Sequence, residues 1–297
     1  MIPMNMLRYT FCLIWLLAVI DQNAAAELPA PVSAPNSTEY TITVVPFYTP
    51  EKIWSLYSPF IDFLKETTGM PWELKFYPNH DSLIDGLCSG KVSLALLGPV
   101  PLGRVIEKCS AEVLAVALGK DAKPFYHSVV VTSDQNILSL GDLKGKKFAL
   151  FKGSTASHIL PRKMLRDAGL QKSDLTLLFY ESQDSIMNAL LSHEVDAAGV
   201  KESLYKKFEK ASIKVLRQSE VLPNFAFAAA PTLSNPTKKL FTEALFHLSP
   251  QTNEKDKQRV QAWDDEIKNG FIKPPPDFSA SVQKILLISN EIMREDR

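Results

Sequence analysis

The densest hydrogen-bonding chemistry in this sequence sits in one short turn, Gly153-Ser154-Thr155-Ala156-Ser157-His158. The turn joins an apolar run, Lys147-Phe148-Ala149-Leu150-Phe151, to an amphipathic run that begins near Ser157. A strand that turns directly into a helix aims the helix's first N–H groups, and the positive end of its dipole, at one point. Such a point binds anions, and the hydroxyls of Ser154, Thr155 and Ser157 would add neutral hydrogen bonds. Taken alone, the same residues read equally as an ordinary Ser/Thr helix cap. His158 falls in the first helical turn, where a cation opposes the dipole. That placement favours a neutral imidazole, or a charged one facing a bound anion.

Other chemistry is sparse. The five histidines and the cysteines make no metal-ligand spacing. There is no G-x-S-x-G elbow, no Walker loop and no clustered nucleophile–base pair. No catalytic residue, metal or cofactor is therefore assigned, and the chain reads as a non-enzyme. With 33 Lys+Arg against 33 Asp+Glu, the net charge is zero, which gives no general pull toward nucleic acid or anionic membrane. Anion selectivity has to be local.

The elements that would position the turn follow from periodicity. Residues 41–46, 72–76, 92–97 and 112–118 read as strands, with helices from Pro50, Asp81 and Pro101 between them. That alternation predicts a parallel sheet with covering helices. Residues 125–132 form an extended run suited to crossing between two domains. Strands at 146–151, 176–180 and 195–200, with helices near 156–168, 184–193 and 201–210, repeat the alternation. Residues 213–216 and 224–230 complete a second sheet in this reading, the latter also serving as a return crossing. Helices at 237–248, 255–268 and 279–295 have no sheet of their own and are expected to pack on the first domain. The expected class is α/β, two lobes, each a sheet flanked by helices, joined by two crossover segments. The boundaries are 40–124 plus 231–297 for lobe 1 and 125–230 for lobe 2.

At the N-terminus, Arg8 precedes a dozen apolar residues, and Ala24-Ala25-Ala26 offers a cleavage site. Residues 1–26 are thus expected to be a signal peptide and 27–39 a flexible leader, with the mature protein soluble in the periplasm. Cleavage would leave Cys88 and Cys109. In an oxidising compartment a cysteine pair is more often a disulfide than a metal site. Both cysteines end helices that run back along the strand between them, so both fall away from the strand's carboxyl end, where open α/β sheets bind ligands.

Four segments in register resemble one family, the periplasmic phosphate/phosphite/phosphonate-binding proteins of ABC transporters. They are VVPFYTPEKI (44–53), LIDGLCSGKVSLALLGPVP (83–101), LGDLKGKKFALFKGSTASHILPRKML (140–165) and VDAAGVKESLYKKF (195–208). The resemblance implies a two-lobed, hinge-closing solute-binding fold with a small oxyanion between the lobes and a membrane permease as partner. It places Ser154 and Thr155 on the anion, Tyr48 in reach from the first lobe beside Gly98 and Pro99, and an acidic side chain, Glu202, after the strand that ends near Val200. Departures accompany it. Ala156 stands where the family has a third hydroxyl, and Lys201 adds a cation. Phosphate, phosphite, a phosphonate or an arsenic oxyanion all remain open as ligand. So does output through a sensor histidine kinase in place of a transporter, and the chain is expected to act as a monomer.

Overall fold

A computed structural model describes residues 40–208 and 211–296. The expected signal peptide, leader and cleavage site lie outside the described residues.

The chain begins with β1 (Thr41–Val44), all four residues buried. Helix α1 (Pro50–Thr68) starts on a proline whose missing N–H costs nothing in the first turn, and it stops where Gly69 turns left-handed. Then come β2 (Glu73–Leu74), α2 (His80–Cys88), β3 (Leu94–Leu97), α3 (Pro99–Cys109) and β4 (Glu112–Ala117). Helix α3 opens two residues earlier than its sequence suggests, with Gly98 as N-cap and Pro99 in its first turn. Cys88 and Cys109, at the ends of α2 and α3, are joined by a disulfide with their Cα atoms 5.5 Å apart. A cross-link over a separation of 21 residues stabilises by about 3 kcal/mol on chain-entropy grounds.

After β5 (Phe125–Tyr126) the chain builds β6 (Ser128–Thr132), β7 (Lys147–Phe151), α4 (Leu160–Asp167), β8 (Thr176–Tyr180), α5 (Gln183–Leu191), β9 (Ala197–Lys201), α6 (Glu202–Lys207) and β10 (Lys214–Gln218). It returns through β11 (Leu222–Pro223) to β12 (Ala226–Ala229), and ends with α7 (Asn235–Phe246), α8 (Glu254–Arg259), β13 (Phe271–Ile272) and α9 (Phe278–Glu295).

These strands make two sheets, one in each of two lobes. The first has the order β13-β4-β12-β3-β1-β2 and the second β10-β6-β9-β7-β8. Between the sheets, β5 and β11 pair antiparallel, Tyr126 opposite Leu222, so the outgoing and returning crossovers are hydrogen-bonded to each other. Along β7, Ala149 and Phe151 join the large core while Phe148 and Leu150 face a second cluster with Val130, Leu143 and Leu165. This is the period-2 alternation of a strand covered on both faces.

Three expectations are corrected. Residues 224–230 do not complete the second sheet: β12 lies in the first, antiparallel to both β3 and β4. An apolar run such as NFAFAAA fits any buried strand, and only the chain path decides which sheet receives it. The expected helix over 255–268 stops at Arg259, because Trp263 and Ile267 turn inward as core residues, and β13 then adds an edge strand to β4. The expected helix start at Ala156 is instead a π-turn over Thr155–Ile159 that leads into α4. Pro161 explains it: its ring would clash with the carbonyl one α-turn back, and a wider turn relieves the clash. Tight packing continues behind this turn. A Cβ on Gly199 would lie 2.2 Å from the Pro161 ring, so β9 needs glycine there.

Candidate functional site

Where the two lobes meet, helices start from both sides at one small cavity. From the first lobe it is lined by Val45, Phe47, His80, Gly98, Pro101 and Phe225. From the second come Phe151, Ser154, Thr155, Ala156, Gln183 and Lys201, with Tyr126 at the crossover. His80 opens α2, Gly98 caps α3, Ser154 caps the π-turn before α4, and Gln183 opens α5. The first N–H groups of each helix have no acceptor within it, and four dipoles point their positive ends inward. The room left for the centre of a water molecule is about 20 Å³, a little above what one water needs. That is room for about one water molecule, and a larger ligand requires the lobes to part further.

The hydroxyls at the turn are oriented by what they accept. Thr155 Oγ1 accepts the backbone N–H of Val100 at 2.9 Å, and Ser154 Oγ accepts that of Ser157 at 3.2 Å. With an N–H already placed on each oxygen, each O–H is left to donate. Gly153, at φ +79°, makes the left-handed bend that brings Ser154 round, a conformation that favours glycine. Tyr126 supplies a third hydroxyl. It is buried, faces Thr155 and reaches hydrogen-bonding geometry with no group. Burial pushes its pKa upward, so it stays a neutral donor.

Charge at the cavity is balanced. Lys201 is buried, and its ammonium contacts the Glu266 carboxylate and lies 3.3 Å from Asn224 Oδ1. The rings of Tyr126 and Phe225 flank it, with centroids at 4.2 and 4.5 Å. His80 is held down at a pKa of about 4, first by burial and then by the Arg104 charge, and is neutral at physiological pH. The wall therefore offers dipoles, hydroxyls and an internally compensated ion pair.

Of the residues singled out in the sequence, Gly98, Ser154, Thr155 and Lys201 line the cavity. Pro99, Tyr48, Ser157, His158 and Glu202 do not. Phe47 takes the lining position beside Tyr48, whose ring sits under the Lys52 ammonium at 4.0 Å. Ser157 spends its N–H on Ser154. His158 points to the chain's other end: Nδ1 accepts from Gly153 N, and Nε2 donates to Asp296 Oδ2 at 3.1 Å. Glu202 pairs with Lys206 at 2.6 Å on the outer side of the crossover. Sequence reasoning missed His80, Gln183 and Phe225; Tyr126, on the expected crossing, was a candidate cleft residue and lines the cavity. For Gln183 a signal existed: it directly follows the Ser182 cap at the carboxyl end of β8, where ligands gather in such sheets.

Two sheets with helices on their faces, paired crossovers and a cavity ringed by helix starts define a two-lobed solute-binding architecture. Residues 42–276 match the family described as "ABC transporter, phosphonate, periplasmic substrate-binding protein", and the chain belongs to that family. It is 23% identical over 238 residues to the "Phosphate-import protein PhnD" of Mycolicibacterium smegmatis, spanning 68% of this chain and 71% of that protein. It is 24% identical over 197 residues to the "Phosphonates-binding periplasmic protein" of Escherichia coli, spanning 61% of this chain and 58% of that protein. Among solved structures, PhnD1 of Prochlorococcus marinus in complex with methylphosphonate is similar in fold. Its TM-score is 0.76 at 15% identity, covering 87% of this chain and 100% of that one. These relatives are binding and import proteins.

Proposed function

We propose that this chain captures a small tetrahedral oxyanion of the phosphate, phosphite or phosphonate class between its lobes and delivers it to the membrane permease of an ABC transporter. It works as a monomer in the periplasm after loss of residues 1–26. In this reading lobe 1 comprises 40–124 with 225–297 and lobe 2 comprises 125–224, which moves β12 to the sheet it pairs in.

The observation that carries the reading is the pair of pre-oriented donors, Ser154 and Thr155. Each hydroxyl already accepts a backbone N–H and faces the small cavity between the lobes. The ligands and roles named for the relatives point the same way: phosphate import, phosphonates and methylphosphonate. The sensor-kinase alternative draws no support from them. Ligand contacts made from both lobes would favour the closed form by the difference in affinity between the two states.

The test is a thermal-shift and calorimetry series on the mature protein with phosphate, phosphite, methylphosphonate, arsenite and sulfate. A ligand at a hundred times its Kd should stabilise by about 2.7 kcal/mol. The stabilisation should vanish in Ser154→Ala/Thr155→Ala. Absence of a response to every anion would refute the proposal.

A further inference from the structure

The small cavity does not end at Tyr126 and Lys201. The same two side chains also line a second chamber, about 630 Å³ by the same measure, on the outer side of the crossover pair. Its walls are the 119–123 loop, the start of α6 and the segment 265–269.

This chamber is cationic. Among the described side chains its lining carries Lys120, Lys123, Lys201, Lys206, Lys207 and Lys268, six cations, against Glu202, Asp265 and Glu266, three anions, an excess of three. All three carboxylates are already used. Glu202 pairs with Lys206, Asp265 with Lys207 and Lys268, and Glu266 with Lys201. Lys120 and Lys123 pair with no carboxylate among the described residues. In a chain of zero net charge this excess is a local feature.

The partition between the chambers is made by groups from opposite lobes. Lys201 ends β9 of the second sheet, whereas Glu266 lies just before β13 of the first. Separating the lobes therefore removes the partition. Tyr126 adds a pointer to a ligand at that junction, since its buried hydroxyl has Thr155 as its polar neighbour and its side chain lines both spaces. The inner cavity leaves room for little more than one water in this lobe arrangement, so an oxyanion with an organic substituent needs further space. The other inner walls, Val45, Phe47, Phe151 and Phe225, are apolar, so the polar way out for the substituent is past Lys201.

We propose that the site takes an oxyanion bearing an organic arm with a second negative charge, such as a carboxyalkyl phosphonate. The head lies on Ser154, Thr155 and Tyr126, and the arm passes Lys201 into the lysine-rich chamber. An ammonium-bearing arm is disfavoured, because every carboxylate among the described residues of the lining is already paired. This assignment rests on the oxyanion reading given above.

The experiment is calorimetry of the mature protein with methylphosphonate, phosphonoacetate, 3-phosphonopropionate and 2-aminoethylphosphonate. At least one carboxyalkyl phosphonate should bind tenfold or more tightly than methylphosphonate, and the aminoethyl compound more weakly than both. In Lys120→Ala/Lys123→Ala the carboxylate preference should shrink by at least threefold, with methylphosphonate affinity retained. Methylphosphonate binding as tightly as the carboxyalkyl compounds would overturn the arm assignment alone. Tighter binding of the aminoethyl compound would do the same. Failure of all four, together with phosphate and phosphite, would overturn the oxyanion reading and the arm assignment with it.

Discussion

Thr155 Oγ1 accepts the N–H of Val100 at 2.9 Å, a hydrogen bond that spans the two lobes at the point where both present a helix start. One side chain thus closes the lobes and presents a donor to the cavity between them. A ligand that receives the Thr155 proton strengthens the acceptor side of the same hydroxyl, so closure and capture support each other.

Thr155→Val removes the oxygen while keeping the volume. The buried Val100 N–H then lacks its acceptor, which costs the closed form about 1–3 kcal/mol. The ligand also loses a donor to a charged group, for a further weakening of about ten- to a hundredfold. Thr155→Ser should retain most of both. Calorimetric Kd values for the two variants check this, and equal affinities would show that the hydroxyl is idle.

Between pH 4 and 6.5 two buried groups oppose one another. His80 has a pKa depressed from 6.5 to about 4, so the unfolded chain binds the extra proton in that window and stability falls as pH drops through it. Asp264 is raised from 3.8 to about 6, first by burial and then by the Glu266 charge. Here the folded chain binds the extra proton, so stability falls as pH rises from 3.8 to 6. His80→Gln should leave stability declining more steeply with rising pH across this window, and Asp264→Asn should leave it climbing more steeply. Urea midpoints at pH 4, 5, 6 and 7 give both slopes.

Asp296 ties the end of the chain to the helix behind the anion turn. It accepts from His158 Nε2 and from Arg162 Nε, each at 3.1 Å, and Arg162 is almost wholly buried. Burial alone would raise this carboxyl, yet the hydrogen bonds from His158 and Arg162 and the guanidinium charge outweigh it and hold the pKa below its usual value. Asp296→Ala strands the guanidinium and should cost about 3–5 kcal/mol. Arg166→Ala, one turn along, breaks pairs to Asp167, Glu291 and Glu295 that reach solvent, and should cost about 0–1 kcal/mol. Denaturation midpoints would separate the two, and similar losses would contradict the distinction.

The place of Ser154 and Thr155 in the cavity wall was legible because it is set locally: a strand, a glycine bend and a helix start within a few residues. Phe225 and His80 were not, since each sits on a different element and only the fold brings them to one cavity. His158 shows the limit from the other side. Its place in the first turn suggested the ligand, but its partner Asp296 is 138 residues away, and no spacing rule reports such a contact. The swap of β12 into the first sheet has the same origin, since a buried strand's sequence does not record its neighbours.

Lys201 and Glu266 test whether the site's buried charge is a structural pair. Both are largely shielded, with side-chain exposures of 6% and 12%, and they come from opposite lobes. Lys201→Met leaves Glu266 without its counter-ion next to Asp264, whose own carboxyl already feels that charge. A stranded buried partner should cost about 3–5 kcal/mol, and Glu266→Gln should cost a comparable amount by stranding the ammonium. Replacing both removes the mismatch along with the pair, so Lys201→Met/Glu266→Gln should recover most of the loss. The cycle's interaction energy would then exceed the 0.5–3 kcal/mol range of ordinary neighbouring contacts, or sit at about its top. Additive losses in the double variant would mean that each group is held by other partners, Asn224 and the two rings for Lys201, and that the ion pair does not set the charge at the cavity.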